Sequence, residues 1–497
     1  MKNTILLTLF FLSFNSFSTT HIVTSKNTTG VGTISDKTTL AAHGDTITFN
    51  ILIDTINDPL AWGINSVIID KNITFIGNPT VIRNPMSALI FDIKDAKVNF
   101  EKITFIGVPE WGPQTSITST GNIHFENCTF TNASLKSSDS LTMNNCNFKI
   151  DKGLNTSAYV VYSSGNFTSI SNTQFISTNK YVAGISLNSA NYLVENCYFE
   201  GLLSNTAFGG AIFSSTSTEG KIHNCTFNNN HNTNKGGAVG VLSGNVEISN
   251  CTFYKNHSWS HGGAIINKGD LTIKHCTFGY NTADTYGAGI HNGGSLIISN
   301  SIFANNSAVE KGDDIFNMIV NGSSNYDSFE SEHTIYSDTS NCFFNFKHNS
   351  FPTIIIDPTL ILNDGLDELS SKGVLMFNQN DSPINAGVAI TGLEKDQKNI
   401  MRDNSPDLGS WEYSIITNIT TSPSISGFEV YPNPTTQILY FSNTTDQIKL
   451  YSHIGQLILE QKIQSKSIDL SHLPSDIYIL EVWINGERSS KLIQVSH

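Results

Sequence analysis

Residues 245–256 read NVEISNCTFYKN, and the spacing inside this stretch decides how the chain folds. Val246 and Ile248 share one parity, whereas Cys251 and Phe253 share the other. Side chains along a β-strand alternate with period two, so a single strand cannot turn both pairs inward. A tight turn at Ser249-Asn250 repairs the mismatch. Asparagine tolerates the left-handed backbone region better than other non-glycine residues, and Asn127, Asn145, Asn196, Asn224, Asn250, Asn300 and Asn341 all stand at this place. His275 is the exception in the series. The stretch therefore predicts two short strands meeting at an asparagine bend, each with its apolar side chains inside.

The same unit recurs. Phe199, Phe227, Phe253, Phe278 and Phe303 fall 28, 26, 25 and 25 residues apart, and "KNITFIG", "EKITFIG" and "SNTQF" extend the frame back to Phe75, Phe105 and Phe175. A further strand follows a polar loop in each unit: "FGGAIF", "GGAVGV", "GGAIIN", "GAGIHN" and "GDDIFN" set Ile212, Val239, Ile265, Ile290 and Ile315 in the same rhythm. Self-similarity at this period marks a solenoid. Three strands per turn predict an all-β, right-handed parallel β-helix of about 25 residues per coil, with neighbouring coils about 4.8 Å apart.

All seven cysteines lie two residues before a phenylalanine, at Cys128, Cys146, Cys197, Cys225, Cys251, Cys276 and Cys342. The repeat makes them a buried ladder of small apolar residues beside a ladder of rings. Stacked, parallel side chains hold their Cβ atoms too far apart for a disulfide, with the wrong torsion. An odd total cannot pair completely, and free thiols are expected.

The ends and the composition bound the function. Lys2, the apolar run Ile5–Phe14 and the small residues Ser16 and Ser18 follow the layout of a secretory signal peptide, with cleavage expected near Ser18 to Thr20. That run is too short to span a bilayer, and no later transmembrane segment is expected. Only 14% of residues are charged and the net charge is −14, so no basic surface for nucleic acid is in view.

Candidate chemistry gathers in the loops before the Gly-Gly strands, which carry His231, Lys235, Lys255, His257, His261, Asp284 and Tyr286. A lyase needs a base beside the sugar and a cation to offset its carboxylate. No coil repeats the carboxylates of a calcium site, and the nearest acidic pair, Asp313-Asp314, lies where the repeat degrades. His257 and His261 have a spacing that binds metal on a helix, but they fall in a loop. No catalytic residue, metal ligand or cofactor is assigned. Tyr254, Lys255, His257, Trp259, His261, Tyr280 and Tyr286 are the expected ligand face, with rings that can stack on sugars.

The repeats "FNNN...GGAV", "FYKN...GGAI" and "FGYN...GAGI" resemble those of polymorphic outer-membrane adhesins over Phe199 to Ile315. The likeness falls on Phe227, Asn230, Phe253, Asn256, Phe278, Asn281, Phe303 and Asn306, and on Gly209-Gly210, Gly236-Gly237 and Gly262-Gly263. It implies a β-helix and an adhesin or extracellular glycan-binding scaffold, whose partner is a polysaccharide or a host or cell-surface ligand. A polysaccharide lyase or glycoside hydrolase acting along the coil is the alternative.

Residues 381–413 resemble the closing segment of exported β-helix proteins of the choice-of-anchor Q kind, at Ser382, Pro383, Ala386, Gly387, Asp396, Arg402, Asp407, Gly409 and Glu412. The resemblance implies a lid over the last open coil. Residues 414–426 lack charge and are rich in Ser and Thr, as a linker would be.

In the tail, Ile448/Leu450, Leu457/Leu459 and Ile477/Ile479 share strand faces and Asn485-Gly486 marks a hairpin, which predicts a small antiparallel β-sandwich. Tyr431-Pro432-Asn433-Pro434, Gly455, Tyr478 and Lys491 resemble the C-terminal sorting domain of the type IX secretion system. The resemblance implies export to the cell surface or medium with that machinery as partner, often with tail removal and attachment to surface lipopolysaccharide. The expected organisation is thus a signal peptide at 1–20, β-helix at 21–380, closing segment at 381–413, linker at 414–426 and sorting domain at 427–497.

Overall fold

The computed structural model describes residues 18–25, 30–50, 66–83, 90–107, 114–151, 159–178, 181–206, 208–215, 219–317, 329–336, 354–356, 374, 383–412, 428–452, 457–474, 476–484 and 487–496. The signal-peptide core, Cys342, the linker, Gly455 and the Asn485-Gly486 turn lie outside them. The chain divides into two compact units, residues 1–413 and 414–497.

The first unit is a parallel β-helix. Its strands form a 23-stranded sheet bent at the asparagine corner, an 11-stranded sheet behind it, and a short five-stranded sheet joining the two in the later coils. One coil shows the plan. Asn245–Ser249 runs to the corner and Thr252–Tyr254 leaves it; His257–Ser258 forms the short edge and Ile265–Asn267 the Gly-Gly face. Each strand pairs in register with the next coil, as in Phe253 with Phe278 and Ile265 with Ile290.

The corner is built as the sequence requires. Asn127, Asn145, Asn196, Asn224, Asn250 and Asn300 all have φ between 50° and 55° or just below, and His275 adopts φ 49° in the same place. A second left-handed bend follows the ring strand at Asn229, Lys255, Tyr280 and Asn305. After it comes an internal ladder of Asn230, Asn256, Asn281 and Asn306. Asn256 Nδ2 donates to the Phe227 carbonyl and to Asn281 Oδ1, both at 3.0 Å, while Asn256 Oδ1 accepts from the Asn230 amide at 3.0 Å. The polar interior of each bend is thereby satisfied by its neighbours.

Glycine is demanded at one corner by conformation and by space. Gly236 and Gly262 have φ +72°, and a Cβ on Gly237 or Gly263 would stand 2.1 or 2.4 Å from a carbonyl oxygen of the next coil. The Gly-Gly pair therefore lets the chain turn and lets the coils meet.

Inside, Phe105, Phe130, Phe148, Phe175, Phe199, Phe227, Phe253, Phe278, Phe303 and Tyr336 stack in one column, with centroids 4.3–5.2 Å apart. Burying each ring stabilises the fold by roughly 1.5–3 kcal/mol. The six described cysteines are buried and free, with their thiols against carbonyls such as Ile222 O and Ser249 O at Cys251. Burial pushes the Cys197 and Cys251 thiols well above their usual range.

The frame of one early unit differs from the sequence reading. Phe75 pairs with Phe100 and lies in the strand before the corner, whereas Phe105 begins the ring column. "KNITFIG" and "EKITFIG" look alike but occupy neighbouring strands of the coil, because Lys102, at φ 56°, is the bend in the second.

A helix absent from the sequence reading, Ile34–Leu40, follows the first strand, Thr20–Val23. Thr33 caps it by accepting from the Asp36 amide, and Ile34 rests on the core.

Among the described residues, the segment 383–412 packs against the flank of the coils and not across a coil end. It lies as a strap along the outer flank of the asparagine corner. Asn250 Nδ2 donates to Lys395 O at 2.7 Å, Gln397 Nε2 to Thr226 Oγ1 at 2.7 Å, and the Ser410 amide to Thr277 Oγ1 at 3.0 Å. The Gly409 amide reaches Asn300 O at 2.8 Å. The outward threonines and corner amides of successive coils supply the row of polar partners that seats it.

The second unit is one five-stranded antiparallel sheet. Its longest strands, Ile438–Ser452 and Leu457–Asp469, shift register at irregularities, and the sheet curves around a core of its own that includes Phe441, Leu450, Leu480 and Ile493. In the strand Asp476–Ile484 the core side is Tyr478, Leu480 and Val482, the face alternate to Ile479.

Candidate functional site

The expected ligand residues separate onto three surfaces. Tyr254 is only 6% exposed, beneath the strap with Leu408, and Tyr280 packs against the same cluster. Lys255 Nζ lies 4.8 Å from the centre of the Tyr254 ring. Tyr254 belongs to the strap-covered flank because the strand Thr252–Tyr254 turns its even-numbered residues outward on that side, while Lys255 and Tyr280 stand at the left-handed bend that follows the ring strand.

His257 sits on the short edge, in register with His231, with Nδ1 2.8 Å from Thr282 Oγ1 and Nε2 3.7 Å from Asp284 Oδ1. Trp259 is 53% exposed on the loop beside it. His257 and His261 do not converge on one point. His261 instead bridges Lys235 and Tyr286 on the Gly-Gly face. Among the described residues, no group of three or more His, Cys, Asp or Glu side chains is placed to hold a metal ion. Asp313 and Asp314 have local duties: Asp314 Oδ1 accepts from Asn306 Nδ2 at 2.8 Å, ending the asparagine ladder, and Asp313 Oδ1 accepts from the Ala308 amide.

On the Gly-Gly face the structure assembles a stripe of rings. His261 stacks on Tyr286 at 5.3 Å and on His291 at 4.8 Å, and Phe316 stacks on Tyr286 at 4.6 Å and on His291 at 5.2 Å. Farther along, Phe213 stacks with Phe208 at 6.3 Å and with Tyr159 at 6.2 Å. Lys268 lies over Phe208, and Lys136 over Tyr162. Phe213, His291 and Phe316 follow the inward Ile212, Ile290 and Ile315, so alternation turns them outward. Sequence reasoning passed over them, although that same alternation was the signal.

The imidazoles of the stripe are held neutral. Burial lowers His261, aided by Lys235, and it pushes His291 down to about 3, aided by His261 and Lys235. Neutral and stacked on their neighbours, these imidazoles do not act as cationic acids; His291 is buried and His261 Nδ1 is engaged by Thr285 Oγ1.

A recess of about 510 Å³ lies on the early coils, outside the strand that precedes the corner. It is lined by Lys97, Asn99, Glu101, His124 and Glu126, with Glu101 and Glu126 in register on adjacent strands. Both carboxylates are engaged. Lys102 Nζ is 2.9 Å from Glu101, and Asn144 Nδ2 donates to both oxygens of Glu126 at 3.1 and 3.0 Å.

In the tail, Tyr431 is 53% exposed and stacks on Tyr440 at 6.1 Å. Asn433 Oδ1 accepts from the Gln494 amide at 2.8 Å, which ties the Pro432–Pro434 segment to the last strand. Tyr478 is buried and donates to Pro474 O at 2.9 Å, and Lys491 pairs with Leu480 across the sheet. The motif thus contains residues that fold the sheet and an exposed stretch, Tyr431 to Pro434, that includes one aromatic ring.

Residues 157–351 match the family model described as the right handed beta helix region, and residues 429–496 match the secretion system C-terminal sorting domain. No curated protein and no solved structure matches the chain. Coil and tail together define an exported, right-handed parallel β-helix protein. Its sorting domain implies engagement of the type IX secretion system and delivery to the cell surface or extracellular space.

Proposed function

We propose that this protein is a surface-delivered glycan-binding scaffold, an adhesin in the broad sense, whose sorting signal comprises Tyr431, Pro432, Asn433, Pro434, Gly455, Tyr478 and Lys491. The observation that carries the binding reading is the stripe of stacked rings on the Gly-Gly face. The rings stand in two groups along the helix axis, Phe208 and Phe213 in one and His261, Tyr286, His291 and Phe316 on successive coils in the other, with Lys235 and Gly240 on the coil between, so an extended chain lying along that face meets two aromatic patches. Trp259 and His257 on the adjoining edge extend that surface. Tyr254, Lys255 and Tyr280 drop out of it, since they lie on another flank of the coil, where the strap buries Tyr254 and packs against Tyr280. A second reading, glycoside hydrolase or lyase, is favoured by the recess where Glu101 and Glu126 face outward side by side.

The test is incubation of the full chain with a panel of acidic and neutral polysaccharides, following pull-down, reducing ends and unsaturated-product absorbance together. Retention of a polysaccharide without new ends is expected, with at least a tenfold loss in a Phe213→Ala/Tyr286→Ala double variant. New ends that vanish in Glu101→Gln or Glu126→Gln would install the enzyme reading. Retention unchanged in the double variant would remove the stripe.

A further inference from the structure

The first coil holds a carboxylate whose partners point to how the chain begins after export. Asp45 is 5% exposed. Its Oδ1 accepts from the Thr19 nitrogen at 2.8 Å, and its Oδ2 lies 2.8 Å from both the Ala42 amide and His21 Nε2. Thr19 is also where the coil starts, since its carbonyl accepts from the Thr46 amide at 2.9 Å and Thr20–Val23 then pairs in register with Thr46–Phe49. These hydrogen bonds hold the carboxyl down at about 2, with the Ala42 amide contributing most, then Thr19 and His21.

A carboxylate taken out of water asks for a positive partner. Within an uncut chain the Thr19 nitrogen is a neutral amide. In the sequence, Ser16 and Ser18 stand three residues and one residue before the Ser18–Thr19 bond, the small-residue pattern read by leader peptidases after an apolar run. We propose that Ser18–Thr19 is the bond cut on export, and that Asp45 is the receptor for the α-ammonium this cut creates. The inference rests on the signal-peptide reading of the first residues.

The chemistry is an amide hydrolysis. Water adds to the Ser18 carbonyl carbon, the C–N bond breaks, Ser18 leaves as a carboxylate and the Thr19 nitrogen takes the proton. The free amine has an ordinary pKa of about 7.7–8.0 and is mostly protonated at neutral pH. The existing 2.8 Å contact then becomes a charge-assisted hydrogen bond without any atom having to move far. A cut one residue later would leave Oδ1 without this donor. Removal of the leader thus adds charge to a contact that the first coil already makes.

The test starts with the full chain, leader included, exported by a bacterial host and read by N-terminal sequencing and intact mass. A start at Thr19 is expected. A cut elsewhere overturns the site while leaving the leader reading standing, and an exported chain that is uncut overturns both. Two defined chains, starting at Thr19 or at Ser18, are then melted side by side. The Thr19 chain should melt higher, with the gap closing in Asp45→Asn; an equal gap in that variant, or no gap at all, overturns the receptor assignment. Should Asp45→Asn fail to fold, acylation of the native amine decides the matter. Slower labelling at pH 8 than in the denatured chain supports the pairing, and equal labelling overturns it.

Discussion

Three sets of asparagines carry the coil, and each uses a different property of the side chain. At the corner, Asn250 and its counterparts accept a left-handed backbone. In the buried ladder, Asn256 uses one amide to serve two coils. On the Gly-Gly face, Asn267 and Asn292 each donate to the next in line, at 2.7 Å. His275 breaks the first set and pays a different electrostatic cost. Its ring is buried, Nε2 lies 3.0 Å from Asn300 Nδ2, and burial, then Arg402, pushes its pKa down to about 2. With His291 near 3, two imidazoles stay neutral in the folded chain while their unfolded counterparts protonate near pH 6.5. Protons therefore favour the unfolded state. The stabilising contribution is complete above about pH 6.5 and falls by about 1.4 kcal/mol per pH unit for each histidine as the pH drops toward the folded values. Denaturant midpoints measured from pH 7 to pH 4 should show this decline. His275→Asn, which restores the corner residue of the other coils, should remove about half of the part due to these two groups. An unchanged slope in the variant would locate the acid sensitivity elsewhere.

At the scale of elements, the strap and the coils depend differently on the repeat. Each coil needs only its neighbours, as in other solenoids. The strap needs several coils at fixed spacing, since it touches Thr226, Asn250, Thr277 and Asn300. Its inner side is held by Arg402, whose Nη1 pairs with buried Glu412 at 3.1 Å and whose Nη2 donates to Gly409 O at 2.9 Å. Removing residues 252–276 joins Cys251 to Thr277, which already occupies the equivalent place in the next coil. Removing residues 174–197 likewise joins Thr173 to Tyr198. Both deletions should keep the β-helix by circular dichroism. Only the first draws the strap's anchors about 4.8 Å closer, so hydrogen exchange at 383–412 should quicken there and stay slow in the second. Equal exchange in the two would mean that the strap does not read coil spacing. This difference also explains what the sequence could disclose. Corner, ring column and glycine pairs are set by local parity and recur every coil, so pattern reading reached them. The strap's seat depends on outward Thr226, Thr252 and Thr277, whose partners lie more than a hundred residues away and follow no period. The ring stripe falls between these cases. His261 and Tyr286 were visible as loop residues, while Phe213, His291 and Phe316 were hidden as ordinary members of strands.

At the scale of the whole molecule, address and architecture are separate. The coil and the tail each have a hydrophobic core of their own, and they form distinct compact units. Among the described residues no helix is long and apolar enough to cross a membrane, and the sorting domain implies export through the type IX secretion system. Loss of the tail should therefore leave the coil folded and change only its destination. A chain lacking residues 427–497, expressed in a bacterium with a type IX system, should accumulate in the periplasm as a protease-resistant β-helix, while the full chain reaches the surface or medium. Attaching residues 427–497 to an unrelated exported domain should send that domain outward. The paired design separates a delivery defect from a folding defect: a periplasmic product that is rapidly degraded would point to folding, and a truncated chain that still reached the surface would place the sorting information within the coil. Tyr431→Ala refines the result, because its ring is the exposed aromatic side chain of the motif. A folded tail that no longer directs export would assign recognition to that ring, and export at the normal level would return the role to the rest of the sheet.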